Sequence, residues 1–363
     1  MARKLYEPDT VRKWIEAVFV KSGYSGARAR DSACVLVEAD MRGIFSHGVN
    51  SLDGTILPSV RAGGTLPRAR CIDVTKNKTS SIRHLDARSG PGHSAAFKAV
   101  DMVKKLARRR GMARVYVHNV NHFGATGIFS ERICADKDLE GRAYCNTSLH
   151  ERLPGGSKPS LGTNPLAWSF PYNDGIVTID MATTMHAASG VCKAIHQNHK
   201  TLPCTVLDKR GRRTTDPRSF DGVHDFLTKG SLLPVGAQAG RGHTEGDDIG
   251  YKGRGLGILI ALLCSTGVSD MMRVSATTYD KRRTVVHVFE ASRIDAAVPL
   301  QQALDQLSGV VAFLRERGPE MLLPGQKEAE ARERSLREGI RYEAGQIRRL
   351  VKTGKEAGVP FPR

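Results

Sequence analysis

Two histidines stand where an imidazole could exchange a proton with a bound molecule. His47 lies in FSHG, between Ser46 and Gly48, on a turn after a helix-like stretch. His122 lies in NVNHFGATG, just past a strongly strand-like run. Reactive side chains concentrate on loops fed by rigid elements, and imidazole titrates near neutrality, so either could give or take a proton. A capping or turn histidine has the same local sequence, and spacing alone leaves both readings open. His196 and His199, with His186 ten residues before the first of them, suggest a metal. No carboxylate or thiol completes a zinc-like set beside them, and none is expected to be bound.

Two glycine-rich strings could approach a phosphate. GPGHSA at 90–95 has the G-x-G-x-x-A spacing between a strand and a helix. Asp101, however, lies inside the following helix instead of ending a second strand ~20 residues on, so the dinucleotide fingerprint is incomplete. KGRGLG at 252–257 opens an apolar helix. Its glycines suit either a phosphate at a helix N-terminus, with Lys252 supplying charge, or close helix packing.

The elements that must position these residues read as follows. The first 65 residues are helical. Asp9 or Thr10 could cap a helix with Val11, Trp14, Ile15, Val18 and Phe19 on one stripe, and Arg28 to Met41 repeats the pattern. After GIFSHGVNS a short helix runs to Arg61, and GGTLP at 63–67 marks a boundary. From Ala69 to Thr178 strands and helices alternate, which predicts an α/β layered domain. Residues 195–250 are polar and loop-rich, and GAQAGRGHTEGDDIG at 236–250 is a long segment that could act as a lid or be plain surface. GLGILIALLCSTGV predicts a buried helix, RTVVHVFEA a strand, and Pro299–Arg317 and Lys327–Lys355 two amphipathic helices.

Composition bounds the function. Lys plus Arg is 55 against 37 for Asp plus Glu, a net charge of +18 that favours anionic partners. The basic clusters KKLARRR, KRGRR and KRR are scattered, and no groove-reading motif accompanies them. Solvated faces and attraction of small anions are therefore expected, not specific nucleic-acid binding. Aromatics at 6% are too sparse for a base-stacking platform. No run reaches the ~20 apolar residues of a membrane span. The start, MARKLYEPDTVRKW, has no apolar core of a signal peptide. The seven cysteines lack CxxC spacing and read as reduced thiols of a cytoplasmic protein.

ADMRGIFSHGVNSL, NHFGATGIFSERICA, PGGSKPSLGTNPLAWSFP, IDMATT, YKGRGLGI and LLPGQK followed by EGIRYEAGQI occur in one order. Together they resemble the malate/L-lactate/L-sulfolactate dehydrogenase family of NAD(P)-dependent oxidoreductases. That family includes ureidoglycolate dehydrogenases, 2,3-diketogulonate reductases and Δ1-piperideine-2-carboxylate reductases. The resemblance covers about residues 10 to 350. It implies a three-layer α/β/α sulfolactate-dehydrogenase-like fold, distinct from the Rossmann fold. It also implies a helical subdomain from both chain ends (1–68 and 310–363), a cofactor-binding domain over 69–309, and a homodimer.

The resemblance further implies roles. His47 would protonate the developing alkoxide or amine, with Ser46 hydrogen-bonded nearby and Asp180 orienting and charge-stabilising it; His122 is the alternative donor. NAD or NADP would be held by Thr178, Ile179, Asp180, Met181, Ala182, Thr183 and Thr184, by Tyr251 and Lys252, and by Gly325, Gln326 and Lys327. Asn146, Ser148, Thr163 and Asn164 would line the same cleft. The chemistry is hydride transfer between nicotinamide C4 and the sp² carbon of a 2-oxo or 2-imino acid.

The chain departs from the pattern where members often carry an Arg five residues after the Ser of SHG, and a Tyr four further on. Here those substrate positions are Ser51 and Thr55. A lost charge-assisted clamp of ~1.5–3 kcal/mol weakens a simple 2-oxo acid by ~10–100-fold, so the small anionic substrate is expected not to be malate or lactate. The rival expectation is a family member that binds nucleotide but has lost turnover. The retained Ser46, His47, His122 and Asp180 speak against it.

Overall fold

The structure is a computed structural model that describes residues 5–153, 159–196, 199–200, 206–220, 230–237, 250–266 and 285–362. β1 (Leu5–Tyr6) leads into α1 (Pro8–Lys21) and α2 (Gly26–Met41), followed by α3 (Val49–Ser51), a π-helical turn (Leu52–Ile56) and α4 (Leu57–Arg61). Then come β2 (Ile72–Asp73), β3 (Ile82–Gly90), α5 (Gly92–Arg110), β4 (Met112–Val120), α6 (Thr126–Cys134) and β5 (Leu139–Cys145). β6 (Leu149–Arg152), β7 (Pro159–Gly162), β8 (Leu166–Tyr172), β9 (Gly175–Met181), α7 (Ala188–His196), β10 (Val206–Leu207) and β11 (Arg213–Thr214) follow. The chain ends through α8 (Tyr251–Ser265), β12 (His287–Arg293), α9 (Leu300–Arg317), α10 (Gln326–Glu338), β13 (Ile340–Arg341) and α11 (Ala344–Ala357).

Two compact units result: Met1–Ala143 with Ala167–Asp180 and Val288–Arg363, and Tyr144–Leu166 with Met181–His287. The boundaries expected at 68/69 and 309/310 both fall inside the first unit. That unit carries the seven-stranded sheet, in the order β2-β3-β4-β12-β5-β8-β9. β2 runs antiparallel to β3, and β3 parallel to β4. α5 packs on β3 and β4, and on α2 and α6. α9 packs Leu307 and Val311 against Tyr172 and Val177 of β8 and β9.

Both chain ends share one apolar core in the first unit. The α1 stripe Val11, Trp14, Ile15, Val18 and Phe19 meets Ala29, Ala33 and Leu36 of α2, with Leu350 of α11 and Phe361. Burying each large apolar side chain contributes ~1.5–3 kcal/mol, which fixes the helices that frame the SHG turn. Trp14 also donates its indole N–H to Val359 O at 2.9 Å and meets Phe361 edge-on.

Three expectations need correction. The cap of α1 is Glu7, whose carboxylate accepts from Asp9 N and Thr10 N. Pro8 starts the helix earlier than Asp9 because its fixed φ and missing N–H suit the first helical position. The stretch 327–355 is not one helix: Gly339, at φ +98°, ends α10, and Ile340–Arg341 pairs antiparallel with Leu5–Tyr6 before α11 begins.

The third correction concerns α8 in the second unit, which is buried on one face only. Gly253, Gly257, Ile260 and Cys264 face inward, whereas Leu256, Ile258, Leu259 and Leu262 are exposed. A run of apolar residues shows no stripe, so periodicity could not separate the two faces. Elsewhere in this unit Val191, Ala194, Val206, Phe220 and Leu232 form a small core.

Candidate active site

The first unit brings the two singled-out histidines together. α2 ends at Met41, Gly43 takes φ +74°, and the chain turns through Ile44–Gly48 into α3. His47 is presented on that turn, with its Nδ1 2.9 Å from Ser46 Oγ. His122 follows β4 and stacks on it, ring centroids 5.5 Å apart and planes 17° apart. Gly124 N donates to His122 Nδ1 at 3.3 Å, which leaves that nitrogen unprotonated and puts the ring proton on Nε2. Removal from water lowers the His47 pKa to about 4, so the imidazole is neutral at pH 7.

A third imidazole completes the group. His93, in the first turn of α5, is buried and stands edge-on to His122, with centroids 6.4 Å apart. Its Nε2 has no hydrogen-bond partner among the described residues, and burial lowers its pKa to about 3. Sequence reasoning passed over His93 because its signal was absorbed into GPGHSA. The glycines of that string serve packing. A Cβ on Gly92 would come within 2.0 Å of Asn121 O, and one on Gly90 within 2.7 Å of Ala87 O.

Asp180 lies at the end of β9, and its Oδ2 accepts from Gly127 N at 2.8 Å. No hydrogen bond joins it to His47 or to Ser46 among the described residues. The residue keeps exposed surface, yet the protein packed around it desolvates the carboxyl and raises its pKa to about 6. The Gly127 N–H pulls it down; Glu131 and Glu328 push it up, and Arg42 opposes them. Gly127 is required there, since a Cβ would sit 2.7 Å from Asp180 Oδ2. Asp180 therefore anchors the N-terminus of α6, directly after the NHFG loop, where a carboxylate also suits the helix dipole.

Ser51 is buried, and its hydroxyl donates to Ser46 O at 3.0 Å. It closes the SHG turn and offers no cation to a substrate. Thr55 lies in the π-helical turn. Such turns recur where a helix has been distorted for function.

The residues expected to hold a dinucleotide are divided between the units. In the first, Thr178 N donates to Pro324 O at 3.0 Å, and a Cβ on Gly325 would lie 3.0 Å from Thr178 Cβ. The Leu323–Gln326 turn is thus pressed onto β9, with Ile179 and Lys327 exposed beside it in sequence. Gln326 accepts from Leu323 N and donates to Glu330.

In the second unit, Asn164 accepts from Thr147 N at 3.2 Å and donates to Gly257 O at 2.9 Å, with φ +35°. Thr163 O accepts from both the N–H and the hydroxyl of Thr183. Thr184 Oγ1 donates to His186 O, Asn146 Oδ1 accepts from Val286 N, and Ser148 O accepts from His150 Nδ1. Tyr251 and Lys252 are exposed on the first turn of α8. Met181 ends β9 and Ala182 follows it directly.

Of the two readings of KGRGLG, packing accounts for Gly253 and Gly257. A Cβ on the first would lie 2.3 Å from Val235 O, and one on the second 3.2 Å from Thr183 Oγ1. Gly255 meets nothing within 4 Å and is exposed. The side chain of His196 and most of the 236–250 segment lie outside the described residues. Among those residues no group of three His, Cys, Asp or Glu could hold a metal ion, and no helix is long and apolar enough to cross a membrane.

The family model described as malate/L-lactate dehydrogenase matches residues 6–351. The malate/(S)-sulfolactate dehydrogenase of Methanothermus fervidus is 25% identical over 365 residues, covering 98% of each chain. The Δ1-pyrroline-2-carboxylate reductase of Agrobacterium fabrum is 26% identical, over 94% of this chain and 95% of its own. The solved sulfolactate dehydrogenase of Methanocaldococcus jannaschii superposes with a TM-score of 0.81 at 26% identity, over 99% of this chain and 98% of that one. The expected fold is therefore present, and this chain belongs to the malate/L-lactate dehydrogenase family, whose members are dehydrogenases and reductases acting on CH–OH or C=N bonds.

Proposed function

We propose that the protein is an NAD(P)-dependent oxidoreductase. It moves a hydride between nicotinamide and the sp² carbon of a 2-oxo acid or a cyclic 2-imino acid. The observation that carries the reading is the Ser46–His47–His122 arrangement: an imidazole with Nδ1 engaged and a second imidazole stacked on its face. Proton exchange with substrate then falls to His47 Nε2. The neutral ring accepts the proton of a hydroxy acid on oxidation. For reduction it must carry one, and a substrate carboxylate within ~4–6 Å favours that imidazolium. His122 is the second candidate for the same role.

The residues present suit a dinucleotide. In the first unit exposed Ile179 offers apolar surface to a ring and exposed Lys327 offers charge to a phosphate; in the second, exposed Tyr251 and Lys252 offer the same two features. When bound, the nicotinamide supplies or takes the hydride. Gly255, open on the first turns of α8, permits close backbone approach. Either NAD or NADP is compatible with these residues.

The substrate is a small anion other than malate or lactate, since Ser51 and Thr55 supply no clamp. Oxidation of NADH and NADPH against a panel of oxaloacetate, pyruvate, bulkier 2-oxo acids and Δ1-pyrroline-2-carboxylate tests this. A preference of ~10-fold or more for the bulkier or cyclic compounds is expected. Turnover of oxaloacetate or pyruvate at ordinary enzyme rates would overturn it.

The reading extends to a homodimer, supported by the exposed leucines of α8, and to a cytoplasmic protein, supported by the five free thiols among the described residues. The helices of 1–68 and 310–363 act as a supporting subdomain for the SHG turn. The scattered positive charge favours no specific nucleic acid.

A further inference from the structure

A carboxyl group outside the expected catalytic set lies directly beneath the SHG turn. Asp40, near the end of α2, is 1% exposed. Val49 N donates to its Oδ1 and Oδ2, each at 3.2 Å, and the Tyr342 hydroxyl donates to Oδ2 at 2.8 Å. A Cβ on Gly48 would lie 1.8 Å from Asp40 Oδ1 and 2.4 Å from its Cγ, so glycine follows His47 because the carboxyl occupies that space. Gly43 N to Asp40 O, Ile44 N to Ala39 O and His47 N to Ile44 O fold the intervening chain into a closed ring over this side chain. Tyr342 grips the same ring from outside, its own ring edge-on to Phe45 at 6.3 Å.

We infer that Asp40, buttressed by Tyr342, is a positioning residue that sets the turn on which His47 stands. The inference rests on the reading of His47 as the proton-exchanging group. A carboxyl buried this deeply has few alternatives to serving the groups that touch it. Those groups are the amide next to Gly48 and a hydroxyl from the far end of the chain. Burial raises the pKa of the carboxyl to about 8, so it is mostly neutral at pH 7 and an amide of the same shape is a close substitute.

The test compares Asp40→Ala, Asp40→Asn, Tyr342→Phe, His47→Ala and the Asp40→Ala/His47→Ala double variant. Kinetics use NADH or NADPH with Δ1-pyrroline-2-carboxylate; amide hydrogen exchange needs no substrate. Asp40→Ala is expected to lower kcat by ~10²-fold with cofactor affinity unchanged, the cost of a misplaced reacting group. Exchange at Val49–Ser51 should speed up by ~10-fold or more while α5 stays protected. Asp40→Asn should recover most of the loss, and the double variant should be no slower than His47→Ala alone. If Asp40→Ala fails to fold, Tyr342→Phe carries the test, with a smaller loss of the same kind.

Wild-type kcat and exchange in Asp40→Ala would overturn the inference. So would exchange that rises equally through α1, α2 and α11, or a double variant slower than both singles. A fully active His47→Ala sinks the reading of His47 itself, and is seen before any Asp40 variant is assayed; the positioning role falls with it.

Discussion

The histidine cluster and α8 are built by opposite means. Around His47 the chain is clamped from every side: Asp40 below, Ser46 and Ser51 within the turn, His122 on the ring face, and Tyr342 from the other chain end. Along α8 only the glycine-marked face is packed, and an apolar row from Leu256 to Leu262 meets solvent. Proton exchange depends on the placement of one ring to within an ångström, which demands a closed scaffold. A helix expected to meet a cofactor and a second copy of the chain keeps surface in reserve.

The largest effect expected from breaking this contrast is on turnover. His47→Ala should lower kcat by ~10²–10⁴-fold and leave cofactor binding intact, measured by NAD(P)H fluorescence. A larger loss in His122→Ala would move the proton donor to that residue. On α8, Leu259→Glu with Leu262→Glu should leave the fold in place but abolish self-association, read by sedimentation velocity.

Within one helix, two glycines sharpen the comparison further. Gly253→Ala should destabilise by on the order of 1–3 kcal/mol, because its Cβ meets the Val235 backbone. Gly255→Ala, two residues on, should stabilise by about 0.5–1 kcal/mol in thermal unfolding, yet weaken dinucleotide binding. Equal behaviour of the two would erase the distinction drawn between packed and open positions.

The smallest effect is a displaced pH profile. Desolvation lowers the His47 pKa to about 4, so its neutral, proton-accepting form persists well below the usual histidine range. In the oxidative direction kcat/KM, which reports the free enzyme, should therefore fall only as the pH drops toward about 4. A fall centred at the ordinary value of ~6.5 would show that His47 stays hydrated in solution.

Much of the architecture was legible in the chain. Alternating strands and helices from Ala69 onward, and the apolar stripes of α1 and α2, carry their own periodicity. FSHG and NHFG announced two loop histidines, but the 5.5 Å that separates their rings is a property of the sheet and helices behind them. Asp40 and Tyr342 are 302 positions apart, and no local pattern links a helix-end carboxyl to a distant phenol. The exposed row of α8 was hidden for a different reason: an all-apolar helix looks the same whether its outer face meets a core, a partner or water. The glycine strings suited a phosphate or close packing equally by spacing; Gly92 and Gly253 lie against neighbouring backbone and Gly257 against the Thr183 side chain, contacts that no local pattern announces.

The π-helical turn at Leu52–Ile56 holds one residue more per hydrogen-bonded loop than its α-helical neighbours. Removing a single codon there, at exposed Gly54, would let the segment relax into an ordinary helix and rotate Thr55 by about 100° relative to Ser51. With Thr55 at a proposed substrate position, such a deletion is expected to shift the preferred acid while the separately built turn of His47 keeps its place.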